Sequence, residues 1–264
     1  MSELKFPTAK PSDQTTTSVS KPASMDEQEW KIRIELAACY RLVAHYGWDD
    51  LIFTHLSARV PGAEHHFLIN PYGMMFSEIT ASSLVKIDEE SNIIDDSEYG
   101  VNPAGFTIHS AIHMARPEAG AVMHLHTRAG MAVSAQASGL LPLTQTAMLV
   151  RPRITYHEYE GVAVDLAERE RLVADLGEQD LMILRNHGTL AVGSTIPEAF
   201  ILMYFLENAC DAQIAAQSAG DLHLPSDKAL ETTREQGQSL EMAGHMAWPA
   251  LLRMLDRQDD SYKS

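Results

Sequence analysis

The sequence predicts an α/β protein, and three observations predict it. Two short apolar runs, 121–126 (AVMHLH) and 181–184 (LMIL), have the length and composition of buried strands. Segments with helical spacing or helix-forming composition lie around them, at 106–115, 129–137, 164–176 and 196–220. No composition break divides the 264 residues, a length that suffices to bury a sizeable core.

The elements follow in order. Residues 1–24, rich in Ser, Thr, Pro and Lys and lacking apolar periodicity, are expected to form a disordered tail without the apolar core of a secretory signal. Beyond Met25, Trp30, Ile34, Leu36, Ala37, Tyr40 and Val43 put an apolar stripe on a first helix. It ends at Tyr46-Gly47, where glycine can take a left-handed terminal conformation. Residues 51–60 carry strand-favouring side chains, Pro61-Gly62 turns the chain and 66–69 starts a second strand, so a hairpin is expected. Asn70-Pro71-Tyr72-Gly73 turns again, and 82–87 and 93–94 supply short strand or helix pieces around the polar break at 88–92. Asn102-Pro103-Ala104-Gly105 leads into the helix at 106–115, which Arg116-Pro117 ends. After 121–126 and its helix, the segment at 152–156 runs into the polar-aromatic cluster His157-Glu158-Tyr159-Glu160-Gly161, and Gly177 stops the next helix before 181–184. Thr195-Ile196-Pro197-Glu198 has the form of a capping box and opens the longest helix, which reaches Gly220. The expected core domain is therefore 25–220. Residues 221–264 form a C-terminal helical extension interrupted at Trp248-Pro249.

Composition excludes several function classes. With 36 acidic against 20 basic residues and a net charge of -16, the chain is ill suited to grip phosphate backbones, so nucleic acid is not an expected partner. No apolar run approaches the ~20 residues that span a bilayer, and no membrane partner is expected. Cys39 and Cys210 fall in apolar helical patterns without a CxxC spacing, as reduced packing residues of a cytoplasmic protein do. Twelve histidines is the unusual count.

Several of those histidines are placed as a site would place them. Side chains alternate along a strand, so His124 and His126 point the same way from one rigid edge, just before a helix begins. Alone, the pair equally describes two hydrogen-bonded histidines at a strand end. His187, in Arg185-Asn186-His187-Gly188, occupies the same kind of place at the end of the other buried strand. Together the three would make a facial imidazole site for a divalent metal with open coordination positions, which a Lewis acid needs to reach a substrate oxygen. His109 and His113 lie four apart on one helix face, a spacing that also arises on ordinary exposed stripes.

The segments NPAGFTIHSAIHMARPEAGAVMHLHTRAGMAVS (102–134) and LMILRNHGTLAVG (181–193) strongly resemble the class II aldolase and adducin head-domain family, as do FTHLSAR (53–59) and NPYGMMFSEITASSLVKID (70–88). The resemblance spans about 27–220. It implies a three-layer α/β/α domain with a mostly antiparallel central sheet, commonly a homotetramer, and it implies that His124, His126 and His187 bind zinc or another divalent metal. Sugar-phosphate aldolases of the family place a metal-binding acid/base just before the helix, and the corresponding position here is Gly105. They also cradle phosphate with an Asn in a GN(V/I)S loop and a pair of serines. Here those segments read Thr54-His55-Leu56-Ser57 and Pro103-Ala104, which supply fewer hydrogen bonds to a phosphate. NPAGF and FTHLSAR look more like the adducin-type branch, whose animal members are cytoskeletal, yet this chain keeps the full histidine set.

The expected function is accordingly a metal-dependent lyase of aldolase type acting on a small non-phosphorylated carbonyl or hydroxy acid, by cleavage, decarboxylation or isomerisation through a metal-stabilised enediolate. Zinc is the expected ion, with iron or manganese as alternatives. His109 is the expected fourth ligand or general base, and Glu78 and Tyr159 are further catalytic candidates. The alternatives are a non-haem iron oxygenase on the same fold and a non-catalytic adducin-like interaction module. The broad apolar stripe at 200–216 joins the resemblance in implying a homotetramer with sites near subunit boundaries.

Overall fold

Five consecutive buried side chains require cover on both sides, and β4 (Ala121–Leu125) accordingly lies in the middle of a seven-stranded sheet. The computed structural model describes residues 21–264 apart from 24, 63–64, 164 and 238–239, so most of the expected N-terminal tail lies outside the described residues. β1 (His55–Arg59) and β7 (Gly188–Gly193) flank β4, both antiparallel to it. On one side the sheet continues through β2 (Phe67–Ile69) to β3 (Val85–Ile87), and on the other through β6 (Leu181–Leu184) to β5 (Ile154–His157). Among the described residues only β5 and β6 pair in parallel, joined by the crossover helix α5 (Glu168–Leu176). The sheet is mostly antiparallel.

Strand alternation divides the core into two layers. Met123 and Leu125 face the same side as Leu56, Ala58, Ile183 and Ala191, where α1 (Glu27–His45), α6 (Ile196–Ser218) and α8 (Leu240–Gln258) pack. Val122 faces the other side with Met182, Leu190 and Val192, beneath Ile108 and Ile112 of α2 (Pro103–Ala115) and Leu172 and Leu176 of α5. The result is an α/β/α sandwich.

Several boundaries move for local reasons. β1 begins only at His55, because 51–54 turns instead: Phe53 N–H donates to Asp50 O and Leu51 takes a φ of 52°. α2 starts three residues earlier than its apolar spacing indicates, since Asn102 caps the Ala104 N–H and Pro103 suits the first turn. α8 runs through Pro249 unbroken. Its Trp248 and Leu255, with Tyr262 beyond it, join the α1/α6 layer, and the Ala81 and Ser82 N–H groups donate to the Tyr262 and Ser264 carbonyls. The C-terminal segment, which also includes α7 (Asp227–Gln236), thus closes over the main core. The apolar stripe at 200–216 is covered within the chain by α3 (Arg128–Ser134), α4 (Gln145–Val150) and α8, so it offers no argument for a second subunit. Cys39 and Cys210 are both buried and unpaired.

Candidate metal centre

The three strand-end histidines meet because β4 and β7 are neighbours. Leu125 pairs with Thr189, so the residue after β4 and the residue before β7 lie just past the same end of the ladder. His126 occupies the joint between β4 and α3, whose cap is the Thr127 hydroxyl accepting from Gly130 N–H. His187 follows a turn in which Asn186 adopts φ 55°, a left-handed conformation asparagine tolerates better than most residues. One ligand atom from each of His124, His126 and His187 lies within 4.8 Å of the others.

The hydrogen bonds behind these rings determine which nitrogens face inward. His124 Nδ1–H donates to the Thr189 carbonyl at 3.0 Å, and His126 Nδ1 stands 3.2 Å from the Asp50 carboxylate. With their Nδ1 atoms engaged, the two Nε2 atoms point at each other across 2.9 Å. Outer partners of this kind are what orient metal-binding imidazoles, and two converging lone pairs suit a shared cation. Burial and the neighbouring rings hold His124 well below the ordinary histidine range and His187 at about 4, so both are neutral near pH 7, as ligation requires. The residues present therefore fit a divalent ion.

A buried knot braces the strand ends. Glu207, from α6, accepts hydrogen bonds from the hydroxyls of Thr127 and Thr189, the residues next to His126 and behind His124. Burial raises its carboxyl to about 7. Gly130 leaves room for this, since a Cβ there would come within 3.0 Å of all three side chains. Beyond His126 opens a cleft of about 660 Å³ whose lining includes Asp49, Asp50, Glu207, Asp211 and Arg128. Among its charged lining residues the four carboxyl groups outnumber the one guanidinium, which suits a cation better than a phosphate.

The structure separates the three catalytic candidates. Tyr159 comes near the trio, its ring 6.4 Å from that of His187 and half exposed. Glu78 is engaged elsewhere: it sits in a 3-10 turn against α1, accepts from Met75 N–H and lies in the field of Arg41, and it does not join the histidines. His109 is buried one ring further back, with Nε2 2.9 Å from His55 Nδ1 and Nδ1 2.5 Å from Ser57 Oγ. Both its nitrogens are used, and the ring beside the trio is His55, 5.2 Å from His124.

His55, Ser57, Asp50, Thr189 and Glu207 are therefore the site residues that motif reading passed over. Alternation along FTHLSAR already puts His55 and Ser57 on one strand face, but only the pairing of His55 with His124 across β1 and β4 brings that face to the trio. Gly105 gains a reason as well. A Cβ there would lie 2.7 Å from His55 Cδ2, so the ring fills the space next to the position where the aldolase acid was expected.

Fold and site together define an α/β/α protein with a histidine triad able to bind a metal at the strand ends of a mostly antiparallel sheet. The chain belongs to the class II aldolase and adducin N-terminal domain family, which matches residues 34–214. An aldolase II superfamily protein from Pseudomonas syringae has a similar structure at 50% identity and TM-score 0.89, covering 91% of this chain and 98% of that one. L-fuculose 1-phosphate aldolase from Glaciozyma antarctica is similar at 29% identity and TM-score 0.80, over 94% of this chain and 98% of that one. Alpha-adducin from Rattus norvegicus is 40% identical over a 254-residue alignment that covers 90% of this chain and 34% of the adducin.

Proposed function

We propose that the protein is a divalent-metal-dependent lyase of class II aldolase type that acts on a small non-phosphorylated carbonyl compound or hydroxy acid. The observation that carries this reading is the arrangement behind the trio: Thr189 O and Asp50 engage the outer nitrogens of His124 and His126 while the inner ones converge. His124, His126 and His187 would hold the ion, with zinc first in order and iron or manganese as alternatives. Such an ion supplies Lewis acidity toward a carbonyl or hydroxyl oxygen. Tyr159, half exposed with its ring 6.4 Å from that of His187, would give a proton to a departing fragment.

The preference for an unphosphorylated substrate rests on donors that are either engaged or shut away from the cleft. The Ser57 hydroxyl is held between His109 and His113, Thr54 is fully buried, and His55 crowds Gly105. With the zinc-loaded protein, retro-aldol cleavage or decarboxylation of unphosphorylated hydroxy acids and hydroxy ketones is expected to exceed that of the matching sugar phosphates. Faster turnover of the phosphates would overturn the assignment. The similarity to alpha-adducin favours a second reading, an interaction module without chemistry, and absence of activity across both substrate sets would select it.

Assembly into a homotetramer is part of the same reading. Its support is no longer α6 but a set of exposed apolar residues, Leu51, Phe53, Tyr159, Val162 and Leu166, in the segments that precede β1 and follow β5. Light scattering at micromolar concentration is expected to give four times the chain mass, and a monomer mass would refute it.

A further inference from the structure

Behind the trio runs a second line of histidines whose hydrogen bonds can be assigned one after another. It starts at a carbonyl. His113 Nδ1 lies 3.1 Å from Ala119 O, and since a carbonyl only accepts, His113 must carry its proton on Nδ1. The ring is fully buried beside Arg59, which disfavours a second proton, so His113 Nε2 is an acceptor. Ser57 Oγ sits 2.7 Å from that Nε2 and 2.5 Å from His109 Nδ1. Its single hydrogen goes to His113, so it accepts from His109 Nδ1–H. His109 Nε2 is then unprotonated and accepts from His55 Nδ1–H at 2.9 Å. With its Nδ1–H given to His109, the neutral His55 ring is left with its lone pair on Nε2.

That nitrogen has no hydrogen-bond partner among the described residues, and its ring stands against His124, across the β1–β4 pairing. His55 lies outside the compact trio, so it is a neighbour of the candidate metal site and not one of its three converging donors. Gly105, lacking a side chain, makes room for the ring.

We propose that the chain Ala119 O–His113–Ser57–His109 locks His55 as the Nδ1–H tautomer, so that His55 Nε2 accepts the hydroxyl of an α-hydroxy acid or α-hydroxy ketone bound beside the trihistidine site, where a carboxylate at position 105 would otherwise act. The role toward substrate rests on the metal-site reading. The tautomer does not. Ser57, His109 and His113 are positioning residues in this scheme.

The test has two arms. In metal-free protein labelled with 15N-histidine, long-range proton–nitrogen correlation near pH 7.5 is expected to show His55, His109 and His113 each protonated on Nδ1, with assignments from His55→Asn and His113→Asn. Ser57→Ala should leave His113 unchanged and turn His55 and His109 into tautomer mixtures, and Ser57→Thr should restore the single form. A parent His55 protonated on Nε2, or a tautomer indifferent to Ser57→Ala, would overturn the proposal. In the second arm the zinc-loaded protein is titrated with glycolate and acetate. The parent is expected to prefer glycolate about tenfold, the size of one added hydrogen bond, and His55→Leu to bind both alike. Equal binding by the parent, or a loss of zinc affinity in His55→Asn as large as in His187→Ala, would refute the assigned role. A protein that shows the tautomers but binds no zinc would overturn the metal reading and leave the locked tautomer standing.

Discussion

Replacing His187 with alanine is expected to weaken zinc binding by at least about 100-fold, because one of three converging donors is lost and the other two cannot close the gap. His187 ends the turn that joins β6 to β7, partly exposed and outside the strand pairing and both core layers, so its truncation should leave the β6–β7 register and the core intact. The variant should therefore fold. Asp50→Asn gives a graded comparison: it keeps the shape behind His126 but removes the carboxylate, and should cost roughly tenfold. Competition with a chelating dye measures both. If His187→Ala held zinc as tightly as the parent, the trio would not be the site.

Acid is expected to destabilise the fold well before its carboxylates are all protonated. His113 is held at about 3 by burial, with the Arg59 charge adding to the effect and the Ala119 carbonyl opposing it. In the unfolded chain the same group binds its proton near pH 6.5. The unfolded state thus takes up the proton first. The stability this group confers is complete above pH 6.5 and falls as pH drops toward 3, by about 3 kcal/mol between pH 7 and pH 4 from His113 alone. His109 is depressed too, so the two act in the same direction. Against a total stability of roughly 5–15 kcal/mol for a domain, such a loss is large. Thermal unfolding of chelator-treated protein should show the melting temperature falling steeply between pH 6.5 and 4.5, with a shallower fall in His113→Asn. A melting temperature that stays level to pH 4.5 would contradict the buried, neutral state of these rings.

Half of the twelve histidines (His55, His109, His113, His124, His126 and His187) sit in one contiguous region, which accounts for the unusual count. The trio was legible because each member ends or follows a strongly apolar run, and such runs identify buried strands whatever surrounds them. The spacing of His109 and His113 was legible as well, but not its meaning. Both face Ser57 on a strand that precedes them by about fifty residues, and nothing local to the helix names that partner.

The sequence by itself determined the α/β class, two of the buried strands, the helix cap at Thr195, and the three histidines at strand ends, because these depend on periodicity and on hydrogen bonds between residues near in the chain. Tertiary structure alone decided that His55 stands next to His124, that His109 is one ring removed from the site, that α6 is covered by its own chain, and that Glu78 belongs to a turn against α1. Each of those outcomes follows from the order of strands in the sheet and from which helix covers which face. Pairing between strands distant in sequence is selected by the burial of the whole core, and no short stretch of residues carries that information.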